Sequence, residues 1–437
     1  MQVRQHTFGK IVDYFSNLTY NISNKIIIKR GTVKMGCEVY YFSGSYSQSL
    51  KRSMNVDQLF SMYHEPKLVI DTIMYKREHP EYTAKIMLDS GAFTHYQDSK
   101  KKGIILTDKD MYEYTDKYIE YLNEWGEDLE CFVGVDSVPD PTNVDPTYIQ
   151  KTWDNYMYMW ERLKPSIRHK LIPVFHYGED FEWLKKFLNH RHPDGSKIEY
   201  LGLAITLEGT RSIRINWGQK AMKIIRESTN PDVKTHAFGV GVKSVLEYID
   251  VYSTDATSYL KRAAYGMISI NDKTIYVSDM QKDNGKGNHY TDKSVAYQYD
   301  VEKVIEERGY RVEPAKGIYE EVDSMHCVAT VEGTTYKVEL AAVGLAINID
   351  GVDYKLEDEV ANAENVFCGT WINNSDSVTP VRFTFNSDGT CIYDNGLCLA
   401  TNPYARGRFN IDDTLRWMKD LKGQKIETLV SKVDLGW

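Results

Sequence analysis

The 437-residue chain reads as an α/β protein, a (β/α)8 TIM barrel followed by a C-terminal β-rich α+β domain. Three observations carry that reading. Short apolar runs alternate with helical patterns between residues 37 and 310, eight runs in all. No Gly-rich phosphate fingerprint follows the first run, as an open doubly wound sheet would more often have. Three aspartates, Asp89, Asp136 and Asp255, each close one of the runs. That is where a barrel gathers its chemistry, at the C-terminal ends of its strands.

The elements follow in order. Residues 1–34 are set apart as an N-terminal arm without an assigned fold. The barrel is expected over residues 35–315, with strands at Glu38–Phe42, Lys85–Leu88, Glu130–Val135, Leu171–Phe175, Tyr200–Ile205, Thr235–Val240, Val251–Thr254 and Gly266–Ile270. Helical patterns lie between them at Val56–Met74, Asp108–Trp125, Thr147–Leu163, Asp180–Asn189, Asn216–Glu227 and Lys243–Ile249. Within the fourth of these, Trp183, Leu184, Phe187 and Leu188 recur at i, i+1, i+4, i+5, one face of a helix. Beyond about residue 310 the pattern changes to period-two alternation, bounded by Glu332-Gly333 and Asp350-Gly351. This is a β-meander signature. A helix at Asp412–Leu421 closes the third region, residues 316–437.

Composition narrows the classes of function. Apolar content of 42% and charge of 26% are ordinary for a soluble protein. No run reaches the roughly 20 apolar residues of a membrane span. The first residues lack the basic-then-apolar order of a signal peptide, so a cytoplasmic location is expected. The six cysteines form no CxxC pair and no Cys/His cluster with zinc spacing, which predicts reduced thiols and no metal. Tyrosine is abundant, at 32 residues, and AT-rich coding explains this as simply as base stacking does. The net charge of −9 excludes nucleic-acid binding through average charge. Phosphate contacts would need local patches: Lys100, Lys101 and Lys102; Arg211 with Arg214; Lys261 with Arg262. Each also reads as a solvated face.

Each aspartate alone would serve as a helix cap. Three of them, beside Gly, Ser or Pro turn residues, are poorly explained by capping. Their contexts, in order, are Asp89-Ser-Gly-Ala-Phe93, Val135-Asp136-Ser, Pro173-Val-Phe-His176-Tyr-Gly178, Leu201-Gly202-Leu203-Ala204-Ile205, Phe238-Gly-Val-Gly241, and Ser253-Thr-Asp255 followed by Lys261-Arg262. This succession, over roughly residues 80–285, resembles the tRNA-guanine transglycosylase superfamily. It is most similar to the phage and bacterial branch that inserts 7-deazaguanines into DNA.

The resemblance implies a (β/α)8 barrel that exchanges guanine in a polynucleotide for a free 7-deazaguanine such as 7-cyano-7-deazaguanine. It implies no cofactor. Asp255 would be the nucleophile and Asp89 the general acid/base. Phe93 and Phe238 would sandwich the purine. Asp136, with the backbone of Gly202, Leu203 and Ala204, would bind the base edge, with His176 beside them. These types suit the chemistry. A carboxylate can trap an oxocarbenium-like sugar as a covalent intermediate. A second carboxylate must give a proton to the departing base and take one from the arriving base. A third accepts from the N1–H and 2-amino group of guanine, a pattern adenine cannot offer.

Three departures stand out. The tRNA-acting family carries a zinc site of three cysteines and a histidine after the nucleophile, whereas Gly266–Tyr310 has no cysteine. His176 stands where the family has a glutamine, and reads equally as a hydrogen-bonded structural histidine. Ala264 stands where a second arginine is usual. Together with the C-terminal domain, these favour DNA as the partner over tRNA. A non-catalytic nucleic-acid-binding subunit is a third reading, disfavoured because both Asp89 and Asp255 are retained. A barrel glycosidase is a fourth. The resemblance leaves room for a homodimer.

Overall fold

The computed structural model describes residues 36–44, 48–137, 147–205, 209–279, 288–341, 346–359, 365–373 and 380–422. The N-terminal arm and the Pro139-Asp140 turn lie outside the described residues.

Nine parallel strand segments wind into a nearly closed barrel. They are β1 (Val39–Ser43), β2 (Gln58–Ser61), β3 (Ile86–Asp89), β4 (Cys131–Val133), β5 (Leu171–Ile172), β6 (Val174–His176), β7 (Tyr200–Ala204), β8 (Lys234–Ala237) and β9 (Ser253–Ala256), in the spatial order β5-β4-β3-β2-β1-β9-β8-β7-β6. Its two ends, β5 and β6, are separated in sequence by Pro173 alone. Proline has no N–H and cannot continue a ladder. Its carbonyl still accepts from the Gly202 N–H at 2.8 Å, while the Ile172 carbonyl accepts from Gly134 at 2.9 Å. One side of the break thus holds β4 and the other holds β7.

The connecting helices are α1 (Gln48–Ser53), α2 (Pro66–Glu78), α3 (Ala92–Lys101), α4 (Asp108–Trp125), α5 (Thr147–Arg162), α6 (Phe181–Asn189), α7 (Arg211–Arg226), α8 (Lys243–Leu246) and α9 (Ser258–Ala264). Strand periodicity sorts the core into two layers. Val39, Tyr41, Leu59, Met87, Cys131, Val133, Ile172, Val174 and Tyr200 fill the barrel interior. Their sequence neighbours Tyr40, Phe42, Phe60, Leu88, Phe132, Phe175 and Leu201 pack outward against the helices. The same parity carries Ser43, Asp89, His176, Gly202, His236 and Asp255 to the inner face, near the C-terminal ends of their strands.

Two elements correct the sequence reading. The helix expected over Val56–Met74 is a strand, β2, followed by a helix that begins at Pro66. Leu59 and Phe60 are buried on opposite faces of that strand, and proline at the first helical position starts α2 instead of interrupting it. The run Gly266–Ile270 forms β10 (Met267–Ile270), which pairs antiparallel with β11 (Lys273–Tyr276) outside the barrel. A tight turn with left-handed Asn271 and Asp272 (φ 51° and 64°) joins them.

After α10 (Val295–Glu307) comes a closed antiparallel barrel, β12 (Ala315–Glu321) through β13 (His326–Val331), β14 (Thr334–Leu340), β15 (Ala346–Ile349), β16 (Val352–Glu359), β17 (Gly369–Asn373), β18 (Val381–Phe385) and β19 (Thr390–Asp394). Glu332-Gly333 and Asp350-Gly351, all at positive φ, make two of its hairpin turns. Trp371, Phe383 and Phe385 fill its interior. Helix α11 (Pro403–Lys422) then returns to the parallel barrel, where Ile411, Trp417, Met418 and Leu421 join the layer beneath the helices.

Candidate active site at the barrel mouth

Asp89 ends β3, and its Oδ2 accepts from the Gly91 N–H at 3.1 Å. Gly91 is left-handed (φ 71°), and a Cβ there would sit 2.6 Å from Tyr63 Cβ. The turn therefore requires glycine. Desolvation raises the Asp89 pKa to about 7, helped by the negative charges of Asp136 and Asp255. The three aspartates picked out in the sequence thus share one electrostatic site.

Asp255 Oδ1 accepts from the Gly239 N–H at 2.8 Å and lies 3.3 Å from His236 Nε2; its Oδ2 accepts from Ser43 Oγ at 3.2 Å. Asp136 sits just past β4, its Oδ2 2.8 Å from His176 Nε2. On the other side of that ring, Nδ1 lies 3.0 Å from Glu179 Oε1, and the His176 peptide N–H donates to Glu179 Oε2 at 2.7 Å. Both ring nitrogens of His176 are therefore committed to carboxylates.

Phe238 lies across the inner end of the mouth. A Cβ on Gly202 would meet its ring at 2.6 Å, so the missing side chain makes room for Phe238. The Gly202 N–H bonds Pro173, the Leu203 carbonyl accepts from Phe238 and Ile205, and the Ala204 carbonyl accepts from Tyr177. The Leu203 side chain packs outward, among the residues beneath the helices. Phe93 opens α3 with half its surface exposed, and Tyr96 and Lys100 continue the same exposed face at helical spacing.

The basic residues divide. Lys100, Lys101 and Lys102 are exposed at the end of α3, and Lys261 is exposed on α9. Arg211 is exposed, but its Nε donates to the Ser244 carbonyl at 3.1 Å. Arg262 pairs with Asp272 at 2.9 Å, with 16% of its side chain exposed, so its charge serves the β10–β11 turn. Residues 315–394 hold fourteen acidic and four basic residues, a balance of −10 against −9 for the chain. Residues 36–314 carry a further −6, offset by +5 in residues 1–35 and +2 in residues 395–437, so the acidity is shared by the two barrels.

Among the described residues no group of three or more His, Cys, Asp and Glu is placed to hold a metal. A zinc site like that of the tRNA-acting family has no counterpart among the cysteines, which are all buried and are scattered through the two barrels and the loop after β19. Helix α11 braces the β10–β11 hairpin instead. Asn410 Nδ2 donates to the Tyr259 and Met267 carbonyls at 3.1 and 3.2 Å, and its Oδ1 accepts from the Ser269 N–H at 2.7 Å. Asp413 accepts from Ser269 Oγ, from the Asn271 and Asp272 N–H groups and from Arg308, at 2.7 to 3.1 Å.

Sequence reasoning missed Ser43, Glu179, His236 and Gly239 at the site. His236 could have been found, because it lies two residues before Phe238 on one strand face. Glu179 follows His176 through a turn whose geometry no period reveals. No known family model matches the chain, and no curated protein is significantly similar to it.

Proposed function

We propose that this protein is a transglycosylase that exchanges guanine in DNA for a free 7-deazaguanine. The observation that carries the reading is the convergence of Asp89, Asp136 and Asp255 at one mouth, with Asp89 raised to about 7 by desolvation and by the other two charges. Reading β5 and β6 as one strand broken at Pro173 makes the sheet a (β/α)8 barrel, the fold in which such a mouth is the active site.

The chemistry divides among the three carboxylates. Asp255 Oδ2 attacks C1′, the glycosidic C–N bond breaks, and its electron pair leaves with the guanine. Asp89, close to half protonated at neutral pH, gives the departing ring nitrogen its proton. Esterification removes the Asp255 charge, one of the causes that raise Asp89. The Asp89 proton is thus released more readily as the covalent bond forms. In return, carboxylate Asp89 takes the proton of the arriving base, whose nitrogen attacks C1′ and expels Asp255. Asp136 accepts from the guanine edge, and Phe93 and Phe238 flank the ring.

The polynucleotide approaches along α3, where Phe93, Tyr96 and Lys100 offer stacking and charge beside Asp89. Because residues 36–314 sum to −6, phosphate contact depends on that local patch. The test is incubation of purified protein with guanine-containing DNA or tRNA and 7-cyano-7-deazaguanine, followed by nucleoside mass spectrometry. Insertion into DNA supports the reading. Insertion into tRNA alone moves the substrate but keeps the chemistry. Insertion into neither overturns it.

A further inference from the structure

The inner face of β7, β8 and β9 holds a buried polar chain beyond the three aspartates. Register sets His236 opposite Ser253. His236 Nδ1 lies 2.6 Å from Ser253 Oγ, and its Nε2 lies 3.3 Å from Asp255 Oδ1. Ser253 Oγ is bonded in turn to the Tyr200 hydroxyl. His236, Ser253 and Tyr200 are all buried, so these groups must satisfy one another without bulk water.

One pattern of hydrogens does so. Tyr200 O–H donates to Ser253 Oγ, Ser253 O–H donates to His236 Nδ1, and His236 Nε2–H donates to Asp255. The other neutral tautomer would turn a bare Nε2 lone pair on the Asp255 carboxylate and leave one hydroxyl proton, that of Tyr200 or of Ser253, without an acceptor among these groups.

We propose that this chain fixes His236 as the Nε2–H tautomer and makes it the residue that positions Asp255, selecting Oδ2 as the attacking oxygen. The proposal rests on the base-exchange reading above. Oδ1 holds two donors, Gly239 N–H at 2.8 Å and His236, whereas Oδ2 has the Ser43 hydroxyl at 3.2 Å. Oδ2 therefore forms the bond to C1′, and Oδ1 becomes the ester carbonyl. When the arriving base attacks C1′, the C1′–Oδ2 bond breaks and its electron pair returns to the carboxylate. His236 and Gly239 stabilise that returning charge. His236 keeps its proton throughout and transfers none. Loss of its donor slows the return half most, so covalent adduct should accumulate while exchange falls.

The experiment pairs two readouts. In full-length protein labelled with [15N]His, the His236 signals, assigned by difference from His236→Gln, should report Nε2 protonated and Nδ1 bare. Ser253→Ala should shift the population toward the other tautomer. In exchange assays, His236→Leu should lose about 10²–10³ in rate, the usual cost of one such donor. It should also raise the fraction of DNA trapped as adduct under denaturing conditions. His236→Gln, which can still offer an N–H, should recover at least about tenfold of that loss. A wild-type Nδ1–H tautomer overturns the proposal, as do equal rates for the Leu and Gln variants without adduct build-up. Should the Leu variant fail to fold, the His236 signals of wild type and Ser253→Ala decide. Should wild-type protein form no adduct with DNA or tRNA, the base-exchange reading falls, and the tautomer measurement still tests the chain.

Discussion

His176 Nε2 lies 2.8 Å from Asp136 Oδ2, with the histidine side chain 6% and the aspartate side chain 14% exposed. Glu179 takes the other ring nitrogen at 3.0 Å. Burial pulls the His176 pKa down, but hydrogen bonds to Asp136 and Glu179 override it and hold the imidazole up at about 9. An imidazolium clamped between two carboxylates has no N–H left for a base. It holds the Asp136 carboxylate in place at the mouth through the 2.8 Å contact.

Stability should therefore fall through two distinct pH windows. The His176 pKa is raised above its unfolded value near 6.5, so its contribution is complete below about 6.5 and lost as pH rises through about 9. Asp89 is also raised, from 3.8 to about 7. A raised carboxyl binds its proton more tightly when folded, so stability falls as pH climbs from about 4 to about 7. The shifts correspond to about 3 kcal/mol for His176 and about 4 kcal/mol for Asp89. Urea unfolding at pH 5, 7 and 9.5 should show both falls in wild type. Asp89→Asn should erase the lower one and be the more stable protein at pH 8, and His176→Gln should erase the upper one. A wild-type profile flat between pH 7 and 9.5 would remove the imidazolium.

In the proposed base exchange, Asp89 should also set opposite pH limbs for the two half-reactions. Releasing guanine needs its acid form, so kcat/KM for the polynucleotide should fall above about pH 7. Accepting the incoming base needs the carboxylate, and kcat/KM for the free base should fall on the acid side. Its midpoint should lie below 7, because the esterified Asp255 no longer raises Asp89. Asp89→Asn should lose about 10²–10⁴ in rate and flatten both limbs. Parallel limbs for the two substrates would assign the proton transfer to another group.

Asp255→Ala should abolish exchange and leave no adduct under denaturing conditions, since its carboxylate supplies the atom bonded to C1′. Asp136→Asn should act on recognition, because one acceptor becomes a donor facing the donors of guanine. It should raise KM for guanine-containing substrate more than it lowers kcat. A variant at Asp136 with unchanged base selectivity would place the base edge elsewhere in the mouth.

What was legible in the sequence was what periodicity and turn chemistry encode. The Asp108–Trp125 helix has the ends expected, and the Glu332-Gly333 and Asp350-Gly351 hairpins are where dipeptides that tolerate positive φ place them. Gln58-Leu-Phe-Ser was not legible as a strand. Four residues cannot establish a period, and the apolar positions around them also fit a helix. The site split in the same way. Strand-end aspartates are visible, because a carboxylate after an apolar run is unexpected in packing. Their partners arrive by register between strands, as His236 does beside Ser253, or by a loop closing on its own strand, as Glu179 does on His176. Neither distance exists in a linear chain.

The β10–β11 hairpin that follows Asp255 carries the last prediction. Where the tRNA-acting family that the sequence resembles holds zinc, this chain buries Asp413, whose side chain is 1% exposed, against Arg308, two backbone N–H groups and the Ser269 hydroxyl. Asp413→Ala would leave those donors without their acceptor and an arginine with 12% exposure without that partner. Breaking such a pair from one side costs about 3–5 kcal/mol, against about 1 for an exposed pair. Thermal unfolding should drop by roughly 6–20 °C if the hairpin and α11 unfold with the barrel, at about 2–4 °C per kcal/mol. Asp412, 30% exposed on the same helix turn, pairs with Arg416 at 2.6 Å and reaches Arg308 only at 3.9 Å; it is the comparison, and Asp412→Ala should cost far less. Elemental analysis of the wild type should find less than stoichiometric zinc, and a chelator should leave its melting temperature unchanged. Chelator sensitivity, or an Asp413→Ala protein as stable as the Asp412→Ala protein, would mean that something other than this carboxylate holds the hairpin against α11.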